Sequence, residues 1–136
     1  MLIKSSSGTA ALAFTALHRS PITGRIQECT VKLSGPAEAG LTIYDDHLEH
    51  VAAYFRDLAD HWRGWKGTKS WESLEGQLSL AATTDRTGHI TLRVQLLDTS
   101  APERWRAEAP LLLDAGFLHQ IAKDVAHFMA PAEGAA

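Results

Sequence analysis

Residues 74–96 read LEGQLSLAATTDRTGHITLRVQL and contain the clearest structural signal in the chain. Apolar side chains recur at every second position over residues 74–82 and again over residues 90–96. A period of two is typical of a β-strand with one buried face. The intervening Asp-Arg-Thr-Gly at 85–88 ends on the glycine that a tight turn favours. The pattern therefore predicts two antiparallel strands joined by a short hairpin turn.

Apolar residues with a helical period lie on both sides of this hairpin. Spacings of three and four residues place a set of side chains on one face of a helix. The set before the hairpin is Leu48, Val51, Ala52, Phe55, Leu58, Ala59 and Trp62. The set after it is Leu118, Ile121, Ala122, Val125, Phe128 and Met129. Asp45 or Asp46 is predicted to cap the first helix and Asp114 the second, because a short carboxylate accepts the unpaired N–H groups of a first turn.

Further strand-like segments complete the predicted order. Residues 9–17, 28–34 and 41–44 precede the first helix and are separated by glycine and proline. Residues 105–111 follow the hairpin, and Pro110 predicts an edge or bulged strand there because proline has no N–H to donate. The order is βββαβββα. We therefore predict an α+β fold, with one antiparallel sheet of about six strands and both amphipathic helices on one face.

The two helical stripes align with each other when Leu48 is set on Leu118. Val51 then matches Ile121, and Phe55 matches Val125. One interpretation is that any helix packed on a sheet needs such a stripe. The other is that the chain repeats a unit of three strands and a helix.

Length and composition limit the class of protein. The chain has 136 residues, of which 45% are hydrophobic and 21% charged. This size favours one domain, which we place at residues 1–130 with a flexible tail at 131–136. The chain is too apolar for a disordered protein, and no apolar run approaches the ~20 residues of a membrane helix.

Charge and cysteine content favour a cytoplasmic protein. The 13 basic and 16 acidic residues give a formal net charge of −3, so no global field would attract a polyanion. Cys29 is the only cysteine, which excludes an internal disulfide and fits a reducing compartment. Residues 9–17 are too weakly apolar for a convincing signal peptide.

The most unusual segment is WRGWKGTKSW at residues 62–71, which we call the aromatic–basic turn. Trp62 continues the first helical stripe and is expected in the core, whereas no period places Trp65 or Trp71. Such a turn can be a lid over one end of the sheet, a protein interface or a platform for nucleobases. The candidate binding residues are Arg63, Trp65, Lys66, Lys69 and Trp71.

The spacing of these tryptophans, continued by WESLEG at residues 71–76 and GHI at 88–90, resembles an uncharacterised family of small bacterial proteins known chiefly from actinobacteria. The resemblance covers about residues 41–129. The family carries a domain-of-unknown-function label. The resemblance therefore implies a fold unit, and it supplies no catalytic or binding residues.

The seven histidines raise a metal hypothesis. His50, Asp57 and His61 fall on the polar side of the first helix, where Asp57 and His61 at i, i+4 could share an ion. Two ligands on an exposed face make a weak site, because structural zinc takes four. Cys29 shares strand parity with apolar neighbours and is expected to be a buried, inert thiol. We predict no metal and no cofactor.

The residue types of a hydrolase are present without its geometry. Ser73, Asp85 and His89 could supply a nucleophile, an orienting carboxylate and a base. However, no Gly-x-Ser-x-Gly elbow surrounds Ser73, and Asp85 is more simply the first residue of a hairpin turn. We therefore assign no catalytic residue.

Taken together, the residues favour a non-enzymatic protein-binding domain, with an immunity-type or accessory partner protein as the concrete version. A homodimer is also expected, because symmetric dimers are common. The alternative is a small-molecule-binding protein or enzyme with a pocket between the sheet and the aromatic–basic turn, using His89, Arg93 or Arg106. Nucleic-acid binding would require one shared face for Arg63, Lys66, Lys69, Arg104 and Arg106.

Overall fold

A computed structural model describes residues 1–100 and 102–131, and over this part the chain forms eight strands and two α-helices. The strands are β1 Leu2–Lys4, β2 Ala11–Arg19, β3 Ile26–Ser34, β4 Glu38–Ile43, β5 Lys69–Glu72, β6 Leu78–Thr84, β7 His89–Leu97 and β8 Arg106–Asp114. The helices are α1 Val51–Asp60 and α2 Leu118–Met129, each entered through a 3₁₀ helix, Asp46–His50 and Ala115–Phe117. The α+β class is confirmed. Residues 132–136 of the predicted tail at 131–136 lie outside the described residues.

The prediction of a single six-stranded sheet is wrong. The strands form two four-stranded antiparallel sheets, β1-β2-β3-β4 and β5-β6-β7-β8, and the order is ββββαββββα. The two extra strands, β1 and β5, have three and four residues, which is too short to show alternation. The alternation of apolar residues along a strand identifies its buried face but not the strand with which it pairs. The division into two sheets therefore could not be predicted from the pattern.

The predicted central hairpin is present as β6 and β7. Its register sets Leu80 opposite Val94 and Thr84 opposite Ile90, and the apolar positions of both strands are buried. Residues 74–77 belong to a turn before β6 rather than to the strand. The strand that contains Pro110 lies at the edge of its sheet, as predicted.

One hydrophobic core joins both sheets and both helices. Phe14 from β2 and Phe55 from α1 are among its largest fully buried side chains. Full burial of such a side chain contributes about 1.5–3 kcal/mol. The two helices also pack against each other. No helix in the described part of the chain has the length and apolar character to cross a membrane.

The first helical stripe is buried or partly buried except at its last member. Leu48, Phe55 and Leu58 are fully buried, but Trp62 is 42% exposed, so its expected place in the core is wrong. The reason is that α1 ends at Asp60, and Trp62 lies in the following turn instead of on the helical face. Extending a helical period beyond the last helical residue misplaces a side chain in this way.

The two halves of the chain repeat one structural unit of four strands, a 3₁₀ helix and an α-helix. Their first turns share the same hydrogen bond: Gly8 N–H donates to the Ser5 carbonyl and Gly76 N–H donates to the Ser73 carbonyl, each at 2.9 Å. The φ angles of the two glycines are +76° and +73°, a conformation that strains other residues. Both serines are buried. The repeat therefore contains four strands rather than three.

The second turns of the two halves differ in length, because one hydrogen bond spans four residues and the other spans three. Gly24 N–H donates to the Ser20 carbonyl at 2.9 Å, and Gly88 N–H donates to the Asp85 carbonyl at 3.3 Å. Both glycines again have positive φ angles, of +74° and +81°. The common order of elements and the matching first turns support a structural repeat over a coincidence of helical stripes.

A buried carboxylate joins the first half to the second. Asp45 Oδ1 accepts the His47 N–H at 2.8 Å and thereby caps the first 3₁₀ helix, as predicted for this residue. Asp45 Oδ2 accepts the Leu74 N–H at 2.7 Å, in the turn before β6. Asp114 precedes the second 3₁₀ helix, but its side chain makes no capping hydrogen bond, contrary to expectation.

We predict that Asp45→Ala lowers the free energy of unfolding by about 1–3 kcal/mol, because two backbone N–H groups lose their acceptor. Urea unfolding followed by circular dichroism measures the change. Asp46→Ala is the matched control, since its exposed ion pair with Arg25 should add little stability. Equal midpoints for the two variants would contradict the bridging role of Asp45.

Candidate interaction site

The aromatic–basic turn connects α1 to β5 and contains two glycines with positive φ angles. Gly64 has φ +120° and Gly67 has φ +75°. Side chains other than glycine are strained in this region. Gly64 N–H donates to the His61 carbonyl at 2.8 Å, directly after the helix ends. The two glycines thus allow the chain to leave the helix and reverse toward the second sheet.

Trp65 fastens the middle of the turn to β6. Its indole N–H donates to the Ala82 carbonyl at 3.2 Å. Its backbone N–H donates to Thr84 Oγ1 at 3.3 Å, and the same hydroxyl donates back to the Trp65 carbonyl at 3.1 Å. The ring is half-buried and packs against the core. Three hydrogen bonds and one large apolar contact therefore hold this residue in place.

Lys69 ties the end of the turn to α1. Its ammonium lies 2.9 Å from Asp57 Oδ2 and 5.8 Å from the centroid of the Trp65 ring. Its backbone carbonyl accepts the Tyr54 hydroxyl at 2.8 Å. Burial raises the pKa of Tyr54 well above its ordinary value, so the phenol keeps its proton and donates this bond. The cation of Lys69 is therefore engaged within the fold.

Trp71 is the last residue of the aromatic–basic turn. It lies on β5 opposite Leu80 and is half-buried. The His47 imidazole stacks on it, with ring centroids 5.8 Å apart and planes 6° from parallel. His50 also contacts His47, with a centroid distance of 4.7 Å. Trp71 thus packs the start of the first half's helical region onto the second sheet.

The exposed aromatic and basic side chains of the turn are those of Trp62, Arg63 and Lys66, which we call the Trp62 patch. The Arg63 guanidinium lies 5.1 Å from the centroid of the Trp62 ring, within cation–π range. Of the five candidate residues, Arg63 and Lys66 are exposed, while Trp65, Lys69 and Trp71 are half-buried. Trp62 was absent from the candidates because the helical stripe assigned it to the core.

Asp57 and His61, two of the three residues of the metal hypothesis, have other partners. The Asp57 carboxylate is shared by Lys69 Nζ at 2.9 Å and His61 Nδ1 at 3.2 Å. The His61 ring also lies 2.9 Å from the Asp57 carbonyl oxygen. Among residues 1–100 and 102–131, no three His, Cys, Asp or Glu side chains come together as metal ligands would.

The hydrolase residue types are not brought together. Ser73 is buried, and its hydroxyl accepts the Leu78 N–H at 3.1 Å at the start of β6. Asp85 and His89 flank the turn at the other end of β6, about 20 Å away at ~3.3 Å per residue. Asp85 accepts the Thr87 hydroxyl at 2.8 Å and the His89 N–H at 3.0 Å, and these bonds lower the pKa of Asp85 to about 2. Asp85 is thus a turn-forming carboxylate.

Cys29 is a fully buried residue of β3, as predicted. Burial raises the pKa of its thiol to about 11. Its Sγ lies 3.4 Å from the Thr15 carbonyl, which accepts the S–H. A thiol that stays protonated at neutral pH is a poor nucleophile and a poor metal ligand.

The basic residues proposed for nucleic acid fall into two groups at opposite ends of the second sheet. Arg106 lies opposite Leu97, near the end of the second sheet where β6 begins. Trp65 bonds to Ala82 and Thr84 at the opposite end of β6. Arg104 is two residues from Arg106 in the chain, whereas Arg63 and Lys66 are within two residues of Trp65. His89 and Arg106 also lie at opposite ends of the β7–β8 pair.

A second exposed apolar surface was not predicted. Leu2, Leu112 and Phe117 are 51%, 45% and 64% exposed, and they line one groove of about 400 Å³ between β1, β8 and the start of α2. We call these three residues the Phe117 patch. Sequence reasoning missed it because β1 is too short to recognise. The only signal in the sequence was Phe117 itself, a large apolar residue outside the apolar stripe of the helix that follows it.

Fold and site together define a small α+β protein of two repeated units that presents a fixed aromatic–basic surface. The chain belongs to the family of unknown function DUF6228, which it matches over residues 3–132. The predicted membership of an uncharacterised family is thereby confirmed, and the match extends through the first forty residues as well.

Part of the chain is similar to curated enzymes. A stretch of 83 residues is 36% identical to the tRNA(Met) cytidine acetate ligases of Streptococcus equi subsp. zooepidemicus strains MGCS10565 and H70. The match covers 60% of this chain and 21% of each ligase. The chain therefore spans about a fifth of the length of the curated relatives that it matches.

We predict that Trp65→Ala destabilises the protein by about 2 kcal/mol or more. Truncating a buried tryptophan costs about 3–5 kcal/mol, and Trp65 is partly exposed. Trp62→Ala is the matched control and should change stability by less than about 0.5 kcal/mol. Urea unfolding monitored at 222 nm compares them. Equal losses would show that Trp62 also supports the fold.

Proposed function

We propose that this chain is a non-enzymatic protein-binding domain, of the immunity or accessory-partner type, and that the Trp62 patch is its contact surface. The observation that carries the proposal is an exposed tryptophan–arginine pair mounted on a turn that is fastened to the fold. Trp62 is exposed beside Arg63, while Trp65 and Lys69 anchor the residues that follow.

Preorganisation is the physical reason why this arrangement suits a binding surface. A flexible turn would lose conformational entropy on binding, and that loss weakens the complex. Here the hydrogen bonds of Trp65 and the ion pair of Lys69 already hold the turn in the free protein. Tryptophan and arginine are also the side chains most enriched among residues that dominate interface energetics.

The charge of the patch indicates the chemistry of the partner. Arg63 and Lys66 are exposed, and no ion pair involves either of them in the described part of the chain. The third basic residue, Lys69, is paired with Asp57. A protein surface that offers a carboxylate beside an apolar pocket would satisfy both the cations and the Trp62 ring.

The alternative function is a small-molecule site between the sheet and the aromatic–basic turn. The indole of Trp65 lies in that space and donates its N–H to Ala82 of β6. A ligand there would have to displace this ring and its hydrogen bond. The arrangement therefore favours the outer surface of the turn as the place of contact.

We predict that a photo-crosslinking amino acid at position 62 captures one discrete partner in the native host. Position 105 is the matched control, because Trp105 is also a partly exposed tryptophan but lies near the other end of the second sheet. Mass spectrometry of the adducts gives the result. The same adducts from both positions, or none from position 62, would defeat the proposed surface.

For the captured partner, we predict that Trp62→Ala weakens binding by at least about 2 kcal/mol, or roughly thirtyfold in Kd. Arg63→Ala should weaken binding less and reduce its dependence on salt, since it removes charge from the surface. Titration calorimetry measures both effects. Trp105→Ala should leave the affinity unchanged, and an unaltered Kd for both turn variants would refute the proposal.

A further inference from the structure

The structural repeat allows the Phe117 patch to be compared with its counterpart in the other half. Ile3 precedes the first turn serine by two residues, and Trp71 precedes Ser73 by two, so these residues correspond. Phe117 precedes the first buried leucine of the second helical region, Leu118, as His47 precedes Leu48 in the first. The pair His47–Trp71 therefore corresponds to the pair Phe117–Ile3.

The two corresponding pairs differ in whether an aromatic ring covers the residue of the helical region. The His47 ring is half-buried and stacks on the indole of Trp71. Ile3 is buried in the core and offers no ring, and Phe117 is 64% exposed. No other aromatic ring in the described part of the chain stacks on Phe117. The helical region of the second half thus has no counterpart of the Trp71 indole, which covers His47 in the first half.

The charges around the patch are balanced. Lys4 and Asp114 both line the groove with Leu2, Leu112 and Phe117, and both are exposed. No salt bridge involves either residue among residues 1–100 and 102–131. A surface with one cation, one anion and an apolar centre is complementary to a copy of itself. Two-fold symmetric interfaces require this property, because each patch meets the same patch on the partner.

We infer that the Phe117 patch binds a second copy of this chain in a two-fold symmetric dimer. Phe117 packs against the apolar groove of the partner, and Lys4 of each protomer pairs with the partner's Asp114. The interface covers the three exposed apolar residues at once. It involves β1, β8 and the start of α2, whereas the Trp62 patch lies between α1 and β5. The dimer is therefore independent of the proposed function.

Charge reversal tests whether the Phe117 patch binds a second copy of this chain. Sedimentation velocity should show a concentration-dependent dimer for the natural chain. Lys4→Glu gives a patch with two anions, and Asp114→Lys gives one with two cations, so we expect each variant alone to dimerise at least about tenfold more weakly. An equimolar mixture of the two should form a heterodimer, and the double variant should recover homodimerisation.

Arg56→Glu and Asp60→Lys are the matched controls, since both lie exposed on α1 outside the patch and carry the same changes in charge. Phe117→Glu should give a monomer, with circular dichroism confirming its fold. A natural chain that remains monomeric at its highest soluble concentration would overturn the inference. Reversed charges that leave dimerisation unchanged, or a mixture that forms no heterodimer, would also overturn it.

Discussion

Each of the two four-stranded sheets has one apolar face that must be kept from water, and this requirement governs the rest of the structure. Neither sheet encloses a core alone, so the two faces and both helices share a single one. Sharing a core makes the contacts between the halves decisive. Asp45 supplies one of them, because its buried carboxylate accepts N–H groups from both sides of the junction. Ser5 and Ser6 supply another through Leu112 of β8.

The aromatic–basic turn shows how one segment can serve both stability and recognition. Trp65 and Trp71 stabilise the fold, because Trp65 donates a hydrogen bond to β6 and Trp71 stacks on His47. Their anchoring leaves Trp62 and Arg63 outside in a fixed position. A rigid exposed pair loses little entropy on contact with a partner. The same tryptophan-rich segment is thus divided by local geometry into a structural part and a surface part.

The repeat of the two halves gives similar backbones with different surfaces. Equivalent turns use the same hydrogen bonds at Gly8 and Gly76. Side chains at equivalent strand positions nevertheless differ, as at Ile3 and Trp71. Where tryptophan is present the corresponding helical region is covered, and where isoleucine replaces it Phe117 faces solvent. A change in side-chain size at one repeated position therefore creates a surface that its counterpart lacks.

The amino-acid sequence by itself determined the α+β class, the β6–β7 hairpin, the buried faces of both helices and the buried state of Cys29, because these follow from local periodicity and turn chemistry. Only the tertiary structure decided that the strands form two sheets, that α1 ends before Trp62 and that Leu2, Leu112 and Phe117 meet at one groove. Strand pairing and side-chain exposure depend on contacts between residues far apart in the chain. A period read along a segment carries no information about those contacts.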